Sequence, residues 1–292
     1  MNRIKGILYA AVSSSTFGLA PFFSITLLLA GFSAFEVLSY RWGVASIVLI
    51  VFGWLSGCNF RLAGKDLLVV FLLSLLRATT SFSLLIAYQN IATGVASTIH
   101  FMYPLAVSLA MMFFFHEKKS LLVMLAVLMS LFGAALLSSG ELEAKSGDTI
   151  VGLVAACISV FSYGGYIIGV RTTRAAQINS TVLTCYVMGM GAVFYLIGAM
   201  ATSGLHLVTD GYIWLIILGL ALPATAISNI TLVRAIKYAG PTLTSILGAM
   251  EPLTAVVIGV FVFKELFTLN SAIGILLILL AVGMVVFRKQ KS

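Results

Sequence analysis

The chain has 292 residues, of which 61% are hydrophobic and only 9% charged. Average soluble domains are roughly 25% charged, so these proportions exclude a chain solvated mainly by water and imply lipid. The net charge of +8 does not call for a nucleic-acid partner, because the basic residues sit in short loops beside apolar runs, where they set membrane orientation.

A membrane-spanning helix needs roughly 20 apolar residues. Ten runs qualify, at about 7–29, 37–56, 67–86, 93–115, 121–139, 149–170, 181–202, 212–233, 241–263 and 269–287. The first follows Arg3 and Lys5 as a signal peptide would, but it exceeds the usual apolar core of about 7–15 residues. It also has a counterpart: at a shift of 146, Gly6 falls on Gly152, Ala10 on Ala156, Ser13 on Ser159 and Gly18 on Gly164. It is therefore read as a span. Cys58, Cys157 and Cys185 show no paired spacing, so neither a disulfide framework nor a metal motif is expected. No cofactor is expected either.

Residues 87–117 and 235–265 align without a gap at a shift of 148, which places Ala87 on Ala235, Ser97 on Ser245, Pro104 on Pro252 and Glu117 on Glu265. Self-similarity at half the chain length means two copies of one unit, taken here as 1–143 and 148–292. With the N-terminus inside, Lys145 and Lys264 are outside, Arg41 and Arg77 lie within spans, and the other 13 of the 17 Lys and Arg are inside. Both termini are thus expected in the cytoplasm. Five spans per copy is an odd number, so the second copy enters from the opposite side. The expected fold is an all-α integral membrane protein, ten transmembrane helices in two inverted five-helix repeats. Such repeats are typical of secondary transporters, whose halves exchange conformations around a site between them.

Several motifs carry a resemblance over essentially the whole length: Phe17-Gly18, Arg41, the Ala87-Tyr88-Gln89-Asn90 and Ala235-Ile236-Lys237-Tyr238 span ends, Pro104…Glu117, and Met250-Glu251-Pro252…Glu265. On these the chain resembles the EamA type of the drug/metabolite transporter superfamily. The resemblance implies ten helices in two inverted repeats and a small-metabolite substrate, often an amino acid, a nucleoside or a toxic analogue. That family often has Trp-Gly where this chain has Phe17-Gly18, and span six likewise lacks its common tryptophan.

Ionisable groups inside lipid are costly and face a cavity or a partner. Arg77 in span three and Glu251 in span nine each lie about ten residues deep, or ~15 Å at ~1.5 Å per residue. Two readings stand: a buried ion pair fixing helix packing, or the poles of a zwitterion site in which Glu251 also exchanges protons. His100, one turn before Pro104, suits a proton relay or a hydrogen-bonded place in a cavity wall. Ser97, His100 and Pro104 share one helical face; Ser245, Gly248 and Pro252 share the matching face of span nine. Phe17, Tyr103, Tyr163 and Tyr166 are candidates for an aromatic cavity lining, with packing as the alternative.

Pro104, Pro223 and Pro252 lie near midspan, where each removes a backbone donor. They read as kinks, or as flexing points for alternating access. Arg41, close to the outer end of span two, reads mainly as structural, snorkelling to the headgroups. Glu36 just before it reads as a solvated loop charge. Trp42, Trp54 and Trp214 fit an interfacial belt. Gly164, Gly165, Gly189 and Gly191 read as sites of close helix packing. Glu117 and Glu265 read as interfacial span ends, with a salt-bridged gate as the alternative. Spans five and ten, nearly without polar residues, read as peripheral helices and a candidate homodimer surface.

The function expected is a secondary active transporter of a small polar metabolite, an amino acid or similar zwitterion, in the bacterial cytoplasmic membrane. Export is favoured over uptake, with protons as a candidate coupling partner. A membrane-embedded enzyme using His100 and Glu251 as acid and base is the rival class, but the spans hold no Asp, no HExxH and no cluster of metal ligands. A channel is a second rival, and no ring of charges or filter-like loop supports it.

Overall fold

The computed structural model of the chain describes residues 2–117, 120–138, 147–202, 204–261 and 268–286. Lys118, Lys119, Lys145, Lys264, Glu265, Arg288, Lys289 and Lys291 lie outside the described residues. Among the described residues there are helices and no strand.

In chain order, α1 (Asn2–Phe17) and α2 (Ala20–Leu29) are two parts of one apolar segment, followed by α3 (Ala34–Leu55) and α4 (Gly64–Asn90). The next segment is again in two parts, α5 (Thr93–His100) and α6 (Tyr103–Phe113), and α7 (Leu121–Ser138) ends the first half. The second half holds α8 (Thr149–Thr172), α9 (Ser180–Ala201), and α10 (Gly211–Ala221), which runs through a π-helical stretch (Leu222–Ile227) into α11 (Ser228–Ala239). Then come α12 (Pro241–Leu247), α13 (Met250–Phe261) and α14 (Leu269–Val286). Eight segments among the described residues are long and apolar enough to cross a membrane, and Leu121–Leu137 is a shorter apolar helix. The ninth expected span, 241–263, corresponds to α12 and α13, and its last residues lie outside the described ones.

Local sequence explains where these helices start. Ser33 and Glu36 form a reciprocal capping box at the head of α3. Asp148, Asn179 and Asp210 cap α8, α9 and α10 through their side-chain oxygens. The interruptions follow the prolines, which carry no N–H to continue the ladder. Before Pro104 the backbone tightens, with the amide of Met102 donating to Ile99. Before Pro252 the amide of Ala249 donates to Ile246 and that of Glu251 to Gly248. Pro223 instead sits inside the π-helical stretch, a conformation rare in general and frequent at functional sites. The α1–α2 break precedes Pro21, a fourth proline effect that the sequence reading did not single out.

The four most extensive helix contacts are α4 with α8, α1 with α11, α3 with α9, and α7 with α14. Each joins the first half to the second. Exchanging the halves turns the α4–α8 contact into the α11–α1 contact and returns the other two to themselves. In lipid, helices gain little from hiding apolar surface, so close packing at small residues matters more. At the α7–α14 crossing, a Cβ on Gly133 would lie 2.8 Å from the Gly274 carbonyl oxygen, and one on Gly274 would lie 2.7 Å from that of Gly133. Gly191 of α9 receives the Trp42 ring in the space its side chain would need. Gly164 and Gly165 have ordinary room, 3.5 Å and 3.6 Å from the nearest side chains, so of the glycines read as packing sites it is Gly191 that is sterically required.

Two interfacial expectations are corrected. Trp42 does not join a belt: it is 1% exposed and meets Tyr195 edge-on at 5.2 Å. Its place near a span end misled, because it faces the interior. Trp54 and Trp214 remain exposed. Glu36 is not solvated: it is fully buried, accepting from the Ser33 amide, the His206 amide and His206 Nδ1 at 2.6–2.9 Å. Helix capping and the loop before α10 draw this carboxylate inward, and the Tyr40 hydroxyl donates to the His206 carbonyl beside it.

Candidate functional site

The π-helical stretch around Pro223 leaves backbone groups in need of partners, and it is where two buried arginines attach. The Thr225 hydroxyl donates to the Leu220 carbonyl at 2.7 Å, while the Asn229 amide nitrogen donates to the Thr225 carbonyl at 2.8 Å. Arg41 of α3 donates from Nε to the Thr225 hydroxyl at 2.6 Å and from Nη2 to the Ala224 carbonyl at 3.4 Å. Arg77 of α4 donates from Nε to Asn229 Oδ1 at 3.0 Å and from Nη1 to the Ser81 hydroxyl at 3.4 Å.

Arg41 is therefore corrected: it does not snorkel. It is 5% exposed, because α3 starts at Ala34 and so buries it two turns deep, facing the π-helical stretch rather than the headgroups. The ring of Phe17 lies between the two arginines, 5.4 Å from the Arg41 guanidinium carbon and 5.3 Å from that of Arg77. The Arg77 guanidinium also lies over Tyr163 at 5.0 Å and Tyr166 at 5.9 Å. Such cation–ring contacts grow in strength when desolvated, as here.

Gly18, next to Phe17, explains how α1 comes so close to α13. A Cβ at Gly18 would lie 2.7 Å from the Glu251 carbonyl oxygen and 2.8 Å from Thr254 Cβ. Glu251 is 7% exposed and its carbonyl stands against Gly18, beside the Phe17 that separates the arginines, yet no ion pair joins it to either. The two ion pairs among the described residues are Arg174 with Asp66 and His206 with Glu36, both away from this centre. Arg77 and Glu251 thus share a region without bonding, which removes the reading of them as a packing ion pair.

On the other side of Arg77 stands an aromatic group. His100 is 2% exposed, with its ring 5.4 Å from those of Tyr103 and Tyr163, and Tyr103 meets Tyr163 edge-on at 4.6 Å. His100 Nδ1 lies 2.9 Å from the Ser159 hydroxyl. That hydroxyl is itself 2.6 Å from the Ala156 carbonyl, to which it donates. The histidine nitrogen is then the donor to Ser159, which assigns the Nδ1–H tautomer. Tyr166 is fully buried and its hydroxyl has no hydrogen-bond partner among the described residues.

The predicted residues do not all converge. Phe17, Arg77, His100, Tyr103, Tyr163 and Tyr166 form one connected group, with Glu251 close by and Arg41 joining through Phe17. Ser97 touches its edge, 3.3 Å from the Tyr88 hydroxyl. Ser245 turns its hydroxyl back to the Thr242 carbonyl of its own helix. Glu117 accepts from the Thr242 hydroxyl at 2.5 Å, linking the end of α6 to the start of α12. Asn229 and Thr225 were not anticipated. A search for ionisable residues passes over neutral polar ones, and the usable signal was an Asn two turns beyond a midspan proline.

A chain of helices long enough to cross a membrane, packed crosswise in two halves around buried polar groups, defines a multi-pass integral membrane protein. The family model of EamA-like transporters matches it twice, over residues 4–139 and 150–287. The chain belongs to the EamA-like transporter family, and so is a membrane transporter of the drug/metabolite type. A comparison with curated proteins finds no match. Among solved structures, one crystal structure of a protein superposes with a TM-score of 0.80 at 18% identity, covering 97% of this chain and 96% of its own. At that identity the likeness speaks to fold alone.

Proposed function

We propose that the chain is a secondary active transporter that carries a small polar metabolite, an amino acid or similar zwitterion, out across the bacterial cytoplasmic membrane in exchange for protons. The observation that carries this reading is that the guanidiniums of Arg41 and Arg77 and the carboxylate of Glu251 are buried in one region with no ion pair among them. Charges held unpaired inside a membrane protein mark a substrate or ion path. In this reading the arginine side receives the substrate carboxylate. Glu251 receives its ammonium group or, on the return, a proton.

The halves 1–143 and 148–292 would be inverted repeats with both termini cytoplasmic, which agrees with contacts that survive exchange of the halves. The breaks before Pro104 and Pro252 would flex in alternating access, and the Glu117–Thr242 bond would close one end. The outer faces of α7 and α14 would offer a homodimer surface.

The test is counterflow in proteoliposomes with labelled amino acids, run with and without a pH gradient, in the native protein and in Glu251→Gln. Exchange of label that the pH gradient accelerates supports the reading, and the direction of acceleration separates export from uptake. Gradient dissipation without exchange would mean a channel, and conversion of the label would mean an enzyme.

A further inference from the structure

From sequence, Arg77 and Glu251 stood either as a packing ion pair or as the two poles of a zwitterion site. The structure adds a second cation, Arg41, and a cavity. Phe17, Ser24, Arg41, Arg77, Ser81 and Tyr88 all line one cavity of about 30 Å3, and no carboxylate lines it. Arg77 is 1% exposed and Arg41 5%, so neither reaches water or headgroups.

Every hydrogen bond these guanidiniums make goes to a neutral acceptor: a hydroxyl, an amide oxygen or a carbonyl. Among the described residues, no carboxylate accepts from Arg41 or Arg77. Buried charges are normally paired. Glu251 is ion-paired with neither arginine and offsets at most one of the two positive charges. An anion supplied from outside the chain would offset the remaining charge, with the hydroxyl-bearing Ser24, Ser81 and Tyr88 around it. On the same measure one water needs roughly 10–15 Å3, so the cavity admits a small anionic group such as a carboxylate or a halide and excludes a whole metabolite.

We propose that this cavity is an anion subsite, clamped by Arg41 and Arg77 on either side of Phe17, that receives the carboxylate end of the transported metabolite. The part that names the substrate group rests on the transporter reading; the subsite itself does not. Arg41 then acts in binding as well as in holding the π-helical stretch.

The full chain, purified in detergent, tests this by thermal unfolding in sodium acetate, sodium chloride and sodium gluconate at equal ionic strength. The expected result is a saturable rise of about 2–4 °C in acetate over gluconate. The rise should vanish in Arg77→Gln. It should also vanish in Ser24→Leu, which fills the cavity while keeping both charges and so guards against loss of fold in the arginine variant. No rise in either small anion, or an undiminished rise in Ser24→Leu, overturns the subsite. A rise in chloride but not acetate makes it a halide site and overturns the assignment to the substrate carboxylate. An intact acetate effect in a protein that shows no counterflow defeats the transporter reading and leaves the subsite standing.

Discussion

The hydroxyl of Tyr103 occupies the space that a side chain at Gly248 would need. Tyr103 opens α6 directly after the break in the fourth span, and Gly248 sits at the break in the ninth. The repeat register places His100 over Gly248 and Tyr103 over Glu251. One half therefore fills, with a phenol, the gap left where its own counterpart of His100 is missing. Replacing Gly248 with Ala should cost about 1–3 kcal/mol through overpacking. Removing the hydroxyl in the same chain, Tyr103→Phe, should restore part of the loss. Thermal unfolding of the two single variants and the double variant measures the coupling; strictly additive effects would contradict the contact.

Thr225, within the π-helical stretch, links Arg41 to α10, accepting from the first and donating to the Leu220 carbonyl of the second. Thr225→Val keeps the volume and removes both bonds. It should destabilise by roughly 1–3 kcal/mol, since it strands a charged donor in a buried place. Thr225→Ser should retain most of the stability. Equal unfolding temperatures for the Val and Ser variants would argue against the role.

Glu36 does two jobs that single substitutions separate. His206→Ala should remove the imidazole bond and loosen the loop before α10, keeping the backbone amide bond to Glu36 and the Ser33–Glu36 capping box. Glu36→Ala should lose all of these bonds, adding the ~0.5–2 kcal/mol of a helix cap. Hydrogen exchange at residues 204–210 should rise in both variants. Exchange at the first turn of α3 should rise in the second alone.

Glu251→Gln should insert and fold as the native chain does, because no ion pair or hydrogen bond among the described residues depends on its charge. Under the proposed mechanism the pH dependence of flux should disappear. Proton-driven transport by this variant at the native rate would remove Glu251 from the coupling role.

Much of this arrangement was legible in the sequence, for identifiable reasons. Lipid demands long apolar helices, so composition alone located the segments. A proline must break the backbone ladder, so Pro104 and Pro252 marked interruptions whose place followed from covalent chemistry. That Arg77 and Glu251 would be buried followed from their places well inside apolar runs. Direction was harder to read. Arg41, Trp42 and Glu36 all lie near a predicted span end, where sequence offers no way to tell a side chain facing the interface from one facing inward. Their burial depends on partners in the other half of the chain, Thr225, Tyr195 and His206. Asn229 was missed because its importance lies in joining Arg77 to the π-helical backbone, a relation that exists only after folding.

The glycine crossing of α7 and α14 has a consequence for how the polypeptide is held together. It brings the final helix of one half against the final helix of the other, each glycine facing the other's carbonyl. The α1–α11, α3–α9 and α4–α8 pairs also join the halves. The covalent link between Ser138 and Gly147 is therefore one junction among several. Two fragments co-expressed without it have matched surfaces on which to reassociate, so the two genes of a split version should complement one another. A bulky residue at position 133 or 274 should weaken that reassembly before it weakens the intact chain.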